Sequence, residues 1–177
     1  SAYTVKTDRF QTIIDSASQA GINSAVIDIK NMHGEVFVKG WKPEDETQFD
    51  LKGIIDLNEL NRYLHTKNID LVVRIVVFYN IYGATNNPDS TPQSINGDAW
   101  LESESKGPRW QDSSNPSVQK GLLSLIDYVA ECGVKEIQLD YVRFPTEGNL
   151  DEAVFYFEKE DNERLAVDSL YIKRTKP

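Results

Sequence analysis

The stretch Ile137-Gln138-Leu139-Asp140-Tyr141-Val142-Arg143-Phe144-Pro145 decides the reading of the fold. With Val134 just upstream it forms a short, largely apolar run of strand length, which reads as a strand buried on both faces. The run ends on an ionisable pair, Asp140 and Arg143, and then on Phe144-Pro145, where the proline ring fixes the backbone. A parallel sheet displays its chemistry at the carboxyl ends of its strands, so this exit is where function is expected.

The residues before it repeat one junction three times: an amphipathic helix, a Gly or Asn stop, then an apolar strand. The first helix is predicted from Asp8, with Phe10, Ile13, Ile14 and Ala17 on one face. Gly21 ends it before the strand Ser24 to Lys30. The second starts at Asp56, where Glu59 completes a capping-box-like pair. It stacks Leu57, Leu60 and Leu64 and stops at Asn68, before the strand Leu71 to Phe78. The third begins at Asn115-Pro116 and carries Val118, Leu122, Leu125, Ile126 and Val129 to Gly133, before the strand Val134 to Asp140. Strands alternating with helices imply right-handed crossovers and a parallel sheet, hence an α/β fold.

Three strands are clear, and Ala2 to Val5 reads as the tail of another. That makes about four βα units, where a closed barrel needs eight. Helix-to-strand turns are short, whereas the strand-to-helix segments at about 31–55 and 79–115 are long. Loops of that length in a compact domain are usually functional or disordered, and here they leave the carboxyl ends of strands. Gly34 to Val38 reads as the return of a small hairpin over that rim. Beyond residue 146, a helix is predicted from about Asn162, with Leu165, Ser169 and Ile172 in register.

Composition excludes several classes. The chain has 177 residues, 40% hydrophobic and 27% charged, which suits one soluble domain, and no apolar run reaches the roughly 20 residues of a membrane span. A net charge of -9 with dispersed lysines and arginines opposes a nucleic-acid partner. The single Cys132 cannot form an internal disulfide, and no Cys/His set has zinc-ligand spacing. No charged leader with an apolar core opens the chain, so a signal peptide is absent or already removed.

Four blocks occur in order over most of the chain: Ser1-Ala2-Tyr3-Thr4-Val5, Ala25-Val26-Ile27-Asp28-Ile29-Lys30, Val72-Val73-Arg74-Ile75-Val76-Val77-Phe78, and the stretch from Ile137 to Pro145. Together they resemble a bacterial family of glycoside hydrolase-like domains long catalogued as a domain of unknown function. The resemblance implies a parallel (β/α) barrel of TIM type related to alpha-amylase-like hydrolases, with the blocks as its first four strands. The family's first strand begins several residues before Ser1. Its later strands, one with a further acidic residue, have no counterpart up to Pro177. The expectation is therefore a single partial barrel over 1–177, resembling an amino-terminal half-barrel. The resemblance also implies an O-glycosyl hydrolase with a carbohydrate substrate and a periplasmic, cell-envelope or secreted location.

Glycoside hydrolysis uses two carboxyl groups flanking the bond, roughly 5 Å apart for retention or 6.5–9.5 Å for inversion. Asp140 and Asp28 both sit at strand exits and are the candidate catalytic pair. Asp140 is preferred as nucleophile or base because Arg143 or Arg74 nearby favours its ionised form. Asp28 is read as positioning substrate or acting as the acid. Arg74, Arg143, Lys30 and Tyr141 are candidate substrate contacts on the same rim. Trp100 and Trp110 offer flat faces for sugar stacking. The competing reading makes Asp28, Lys30, Arg74, Asp140 and Arg143 a buried ion network, and the two tryptophans anchors of a long loop. Glu147 and Glu152 read as solvated loop residues, His33 as a turn residue, and His65 as exposed on the second helix.

Other classes fit less well. A phosphoacceptor receiver shares a strand-end aspartate, but the 79–115 loop exceeds its plan. Tyr3-Thr4-Val5-Lys6-Thr7 lacks a dinucleotide fingerprint, and no His pair supports a metal hydrolase. No cofactor or metal is called for. The serious rival is a non-catalytic carbohydrate-binding or scaffold module. A half-barrel also leaves sheet edges uncovered, which favours self-association.

Overall fold

The computed structural model describes residues 2–158, so the helix predicted from Asn162 lies outside the described residues. One five-stranded, mostly parallel sheet has the order β3-β2-β1-β4-β5. Its strands are β1 (Ser24–Lys30), β2 (Glu35–Val38), β3 (Asp50–Ile55), β4 (Asp70–Val76) and β5 (Glu136–Asp140). The helices are α1 (Asp8–Gln19), α2 (Leu57–Thr66), α3 (Ile81–Asn86) and α4 (Pro116–Glu131).

Local chemistry sets the helix ends. Asp56 accepts from the Glu59 N–H to start α2, and Asn115 accepts from the Ser117 N–H to start α4, with Pro116 in its first turn. Asn68 and Gly133 take positive φ at 57° and 76°, turning the chain from each helix into the next strand. Phe10 and Ile14 of α1, Leu57, Leu60 and Leu64 of α2, and Val118, Leu122, Leu125 and Val129 of α4 share one core with Ile29, Leu71, Val73 and Ile75. Ile13, predicted on the inner face of α1, is instead exposed.

The helices therefore cover the sheet face of Leu71, Val73 and Ile75. The strand pairs Val26↔Val72, Asp28↔Arg74, Arg74↔Gln138 and Val76↔Asp140 place the other face in register. Val26, Glu136 and Gln138 on that face are exposed. In a (β/α) barrel this would be the inward face, and the described sheet is such a barrel's partial wall.

Two expectations are corrected. Ala2–Lys6 is a 3-10 helix and not the tail of a strand. The Thr4 carbonyl accepts from both the Thr7 N–H at 3.0 Å and the Thr7 hydroxyl at 2.7 Å, which winds the segment into the turn that opens α1. The loop at 31–55 also holds more structure than the predicted hairpin return. β2 runs antiparallel to β1 at Lys30↔Val36, and β3 then pairs parallel to β2, extending the sheet.

Candidate active site at the strand ends

Parallel pairing of β1, β4 and β5 brings three sequence-predicted residues together at the carboxyl end of the sheet. Asp28 is the direct neighbour of Arg74, and Asp140 lies one strand further on, opposite Val76. Arg74 Nε is 2.6 Å from Asp28 Oδ1, and Arg74 Nη1 is 4.0 Å from Asp140 Oδ2. One guanidinium thus faces two carboxylates, and all three side chains are 37–40% exposed. The Arg74 Nε–H is buried and makes no aligned hydrogen bond, so its hold on Asp28 is Coulombic. The group is open to solvent and to a ligand, unlike the sealed ion network that the competing reading expects.

Lys30 is not part of it. The β1–β4 register shifts between Asp28 and Lys30, so Lys30 pairs with Ile75 and leaves the face that Asp28 occupies. Its side chain is fully buried, and Nζ donates to the carbonyls of Val76 at 2.6 Å and Val77 at 3.3 Å. Burial pushes the amine down from 10.5 to about 7. Lys30 therefore clamps the end of β4 and has no atom free to touch a substrate. Plain alternation along the strand hid this, because a bulge carries no mark in the sequence.

The chain turns sharply after Asp140. Tyr141 has φ 55°, a left-handed conformation that costs a tyrosine roughly 1–3 kcal/mol, and its N–H donates to Asp140 Oδ1 at 2.8 Å. The turn swings the Tyr141 ring into a patch with Tyr79 and Trp110, at centroid distances of 5.2 and 5.9 Å. Arg143 lies on this patch, its guanidinium carbon 4.9 Å from the Trp110 ring and 5.5 Å from Tyr141. Trp100 and Trp110 are only 5% and 2% exposed. Trp100 Nε1 donates to the Asn149 carbonyl and Trp110 Nε1 to Glu102, so both indoles fasten the long loop and leave no open face for a sugar.

Sequence reasoning missed the polar knot beneath the rim. Asn80, fully buried, caps α3 through the Gly83 N–H and donates to the Gln48 carbonyl at 2.9 Å and to Gln111 Oε1 at 2.7 Å. Asp112, also buried, accepts from Ser114 and from the Tyr156 N–H. These bonds tie the 31–55 and 79–115 loops together. Their only sequence signal is a high density of Asn, Gln, Ser and Asp, which does not separate a buried knot from a solvated loop. Glu147, Glu152 and His65 are exposed, as read from the sequence, and His33, read as a turn residue, is exposed too. No group of three or more His, Cys, Asp or Glu could hold a metal among the described residues. A groove of about 420 Å³ lined by Val5, Phe10, Ile54, Asp56, Leu60 and Tyr63 lies off this rim, between α1, α2 and the end of β3.

The model of the family described as "Putative glycosyl hydrolase domain" matches residues 1–176. The chain belongs to that family. A solved structure of a hypothetical protein from Ruminiclostridium thermocellum ATCC 27405 is 26% identical, with a TM-score of 0.72, over 97% of this chain and 91% of that one. A noncanonic maltogenic alpha-amylase from Thermotoga neapolitana is 17% identical with a TM-score of 0.53, over 93% of this chain and 39% of that one. Alpha-L-fucosidase isoenzyme 2 from Paenibacillus thiaminolyticus is 18% identical with a TM-score of 0.60, over 91% of this chain and 23% of that one. The chain thus spans well under half the length of these two glycosidases, and its likeness to them is one of fold: part of a (β/α) barrel of TIM type. No curated protein matches the chain. Among the described residues, no helix is long and apolar enough to cross a membrane.

Proposed function

We propose that this member of the glycosyl hydrolase domain family acts on a polysaccharide or cell-envelope glycan through its strand-end carboxylates. Asp140 is the nucleophile or base, and Arg74 orients it while holding Asp28. One observation carries the reading: a single half-exposed guanidinium bridges two carboxylates at the carboxyl ends of adjacent parallel strands. Asp28, in ion-pair contact with Arg74 at 2.6 Å, positions Arg74 and substrate. Tyr141 and Arg143 border the same opening and are the further substrate contacts.

The test is release of reducing sugar by the wild-type chain and by Asp140→Asn. The variant should lose at least ~100-fold in rate with an unchanged melting temperature, since the half-exposed side chain contributes little to packing. Equal activity in the variant would remove Asp140 from the chemistry. The second reading is a carbohydrate-binding or scaffold module without turnover, in which Arg74, Asp28 and Asp140 contact a glycan without cleaving it. Glycan binding by the wild type with no hydrolysis at any enzyme concentration would favour it. Self-association through an uncovered sheet edge is compatible with either reading.

A further inference from the structure

Arg143 is exposed, yet its guanidinium is held in place. It lies against Trp110 and Tyr141, and Nη1 donates to the Phe144 carbonyl at 3.2 Å and to the Thr146 hydroxyl at 3.1 Å. The rings beneath it are themselves fixed, because Trp110 packs edge-on against Tyr79 at 5.0 Å and donates to Glu102. Both Nη1 contacts fall on neutral oxygens, and no carboxylate lies within ion-pair distance of Arg143 among the described residues. A chain with 28 acidic and 19 basic side chains has carboxylates to spare, so an ordered but unneutralised cation beside the rim stands apart.

A second guanidinium borders the same patch. Arg109 Nη1 donates to the Tyr79 hydroxyl at 2.8 Å, and its buried Nε–H has no hydrogen-bond partner. Arg109 too has no carboxylate partner among the described residues. A buried donor without a partner costs free energy, which an incoming acceptor would recover. The patch is continuous with the proposed nucleophile: Tyr141 directly follows Asp140, and the Tyr141 N–H donates to Asp140 Oδ1.

We propose that this patch is an acid-recognising subsite, in which Arg143 binds the carboxylate of an acidic sugar next to the bond addressed by Asp140. The free Nε–Nη2 edge of Arg143 is planar and presents parallel donors, a geometry that matches a carboxylate in bidentate fashion. The half-buried Tyr141 ring beside it supplies apolar area for the sugar itself. The substrate class narrows from a glycan in general to one carrying uronic-acid units. The overall charge of -9 opposes a densely anionic polymer, so the chain favours a mostly neutral glycan with scattered acidic units. This proposal rests on the reading of the strand-end rim as a glycan site.

The experiment is titration calorimetry of the full chain with short oligosaccharides bearing one glucuronate, galacturonate or mannuronate unit, beside the same sugars with the carboxyl reduced to an alcohol and a sulfated counterpart. The wild type should bind at least one uronate sugar about tenfold or more tightly than its reduced form, with the preference shrinking as salt rises. Arg143→Gln should abolish that preference, so that acid and reduced sugars bind alike, and Arg143→Lys should recover only part of it. Equal binding of acid and reduced forms, or binding of the sulfated sugar alone, overturns the subsite. Either result leaves the rim reading intact if Asp140→Asn still loses hydrolysis. Absence of binding to every sugar, together with full activity of Asp140→Asn, overturns both.

Discussion

At the scale of single residues, Lys30 carries the sharpest consequence. Its amine titrates near 7 in the fold and near the ordinary 10.5 in the unfolded chain, because burial removes water from the charged form. Between those values the unfolded chain holds a proton that the fold does not, so unfolding free energy rises with pH across about 7 to 10.5. The slope is at most ~1.4 kcal/mol per pH unit. Below 7 both states are protonated, and the cost of the buried charge is felt in full. The carbonyls of Val76 and Val77 offset part of it, since the 2.6 Å contact is stronger to an ammonium than to an amine. Lys30→Met removes the titration and the hydrogen bonds together. Its stability relative to wild type should therefore improve as pH falls from 10 to 7, whatever its absolute value. Urea melts of both proteins across that range decide it, and parallel curves would mean that Lys30 does not titrate there.

At the scale of elements, the two long loops depend on one close approach. Gly34, in the β1–β2 turn, has φ 85°, and a Cβ there would collide with Asn80 Oδ1 and come within 2.6 Å of Tyr82 Cβ. Gly34→Ala combines left-handed strain with overpacking of the polar knot and should cost about 2–4 kcal/mol. A fall of roughly 5–15 °C in melting temperature is the expected readout, and an unchanged value would mean the loops are not tied at Asn80. The same contrast explains what the sequence disclosed. Helices α2 and α4 were legible because Asp56, Asn115, Asn68 and Gly133 act on residues within a turn of themselves. The strands carrying Asp28, Arg74 and Asp140 were legible from apolar runs. The pairing of β3 with β2 joins residues 15 to 17 positions apart, and the knot of Gln48, Asn80 and Gln111 joins residues 31 or more apart, with no period to announce either. Lys30 was misplaced for a related reason: residue type suggested a rim contact, while a bulge set its true surroundings; the two tryptophans anchor the long loop, one of the two readings the sequence offered for them.

At the scale of the whole molecule, helices finish one face of the sheet, and among the described residues β5 is an edge strand. Leu139 is in register with Ile75 on the helix-covered face, yet it is 46% exposed because none of α1, α2 and α4 reaches it. Val142 and Phe144, just beyond β5, are exposed as well. A strand edge with unpaired backbone groups and apolar side chains is a template for a second copy. The net charge of -9 works against that pairing, and its reach is about 8–10 Å at moderate ionic strength. Association should therefore strengthen with added salt as well as with protein concentration, the opposite of a contact held by ion pairs. Sedimentation equilibrium should give a mean mass above 20.1 kDa that climbs from low to moderate salt. Leu139→Lys, which puts a charge into the apolar edge without disturbing the buried core, should return the mass to that of one chain. A wild-type protein that stays at one chain's mass across concentration and salt would mean that its β5 edge is already covered.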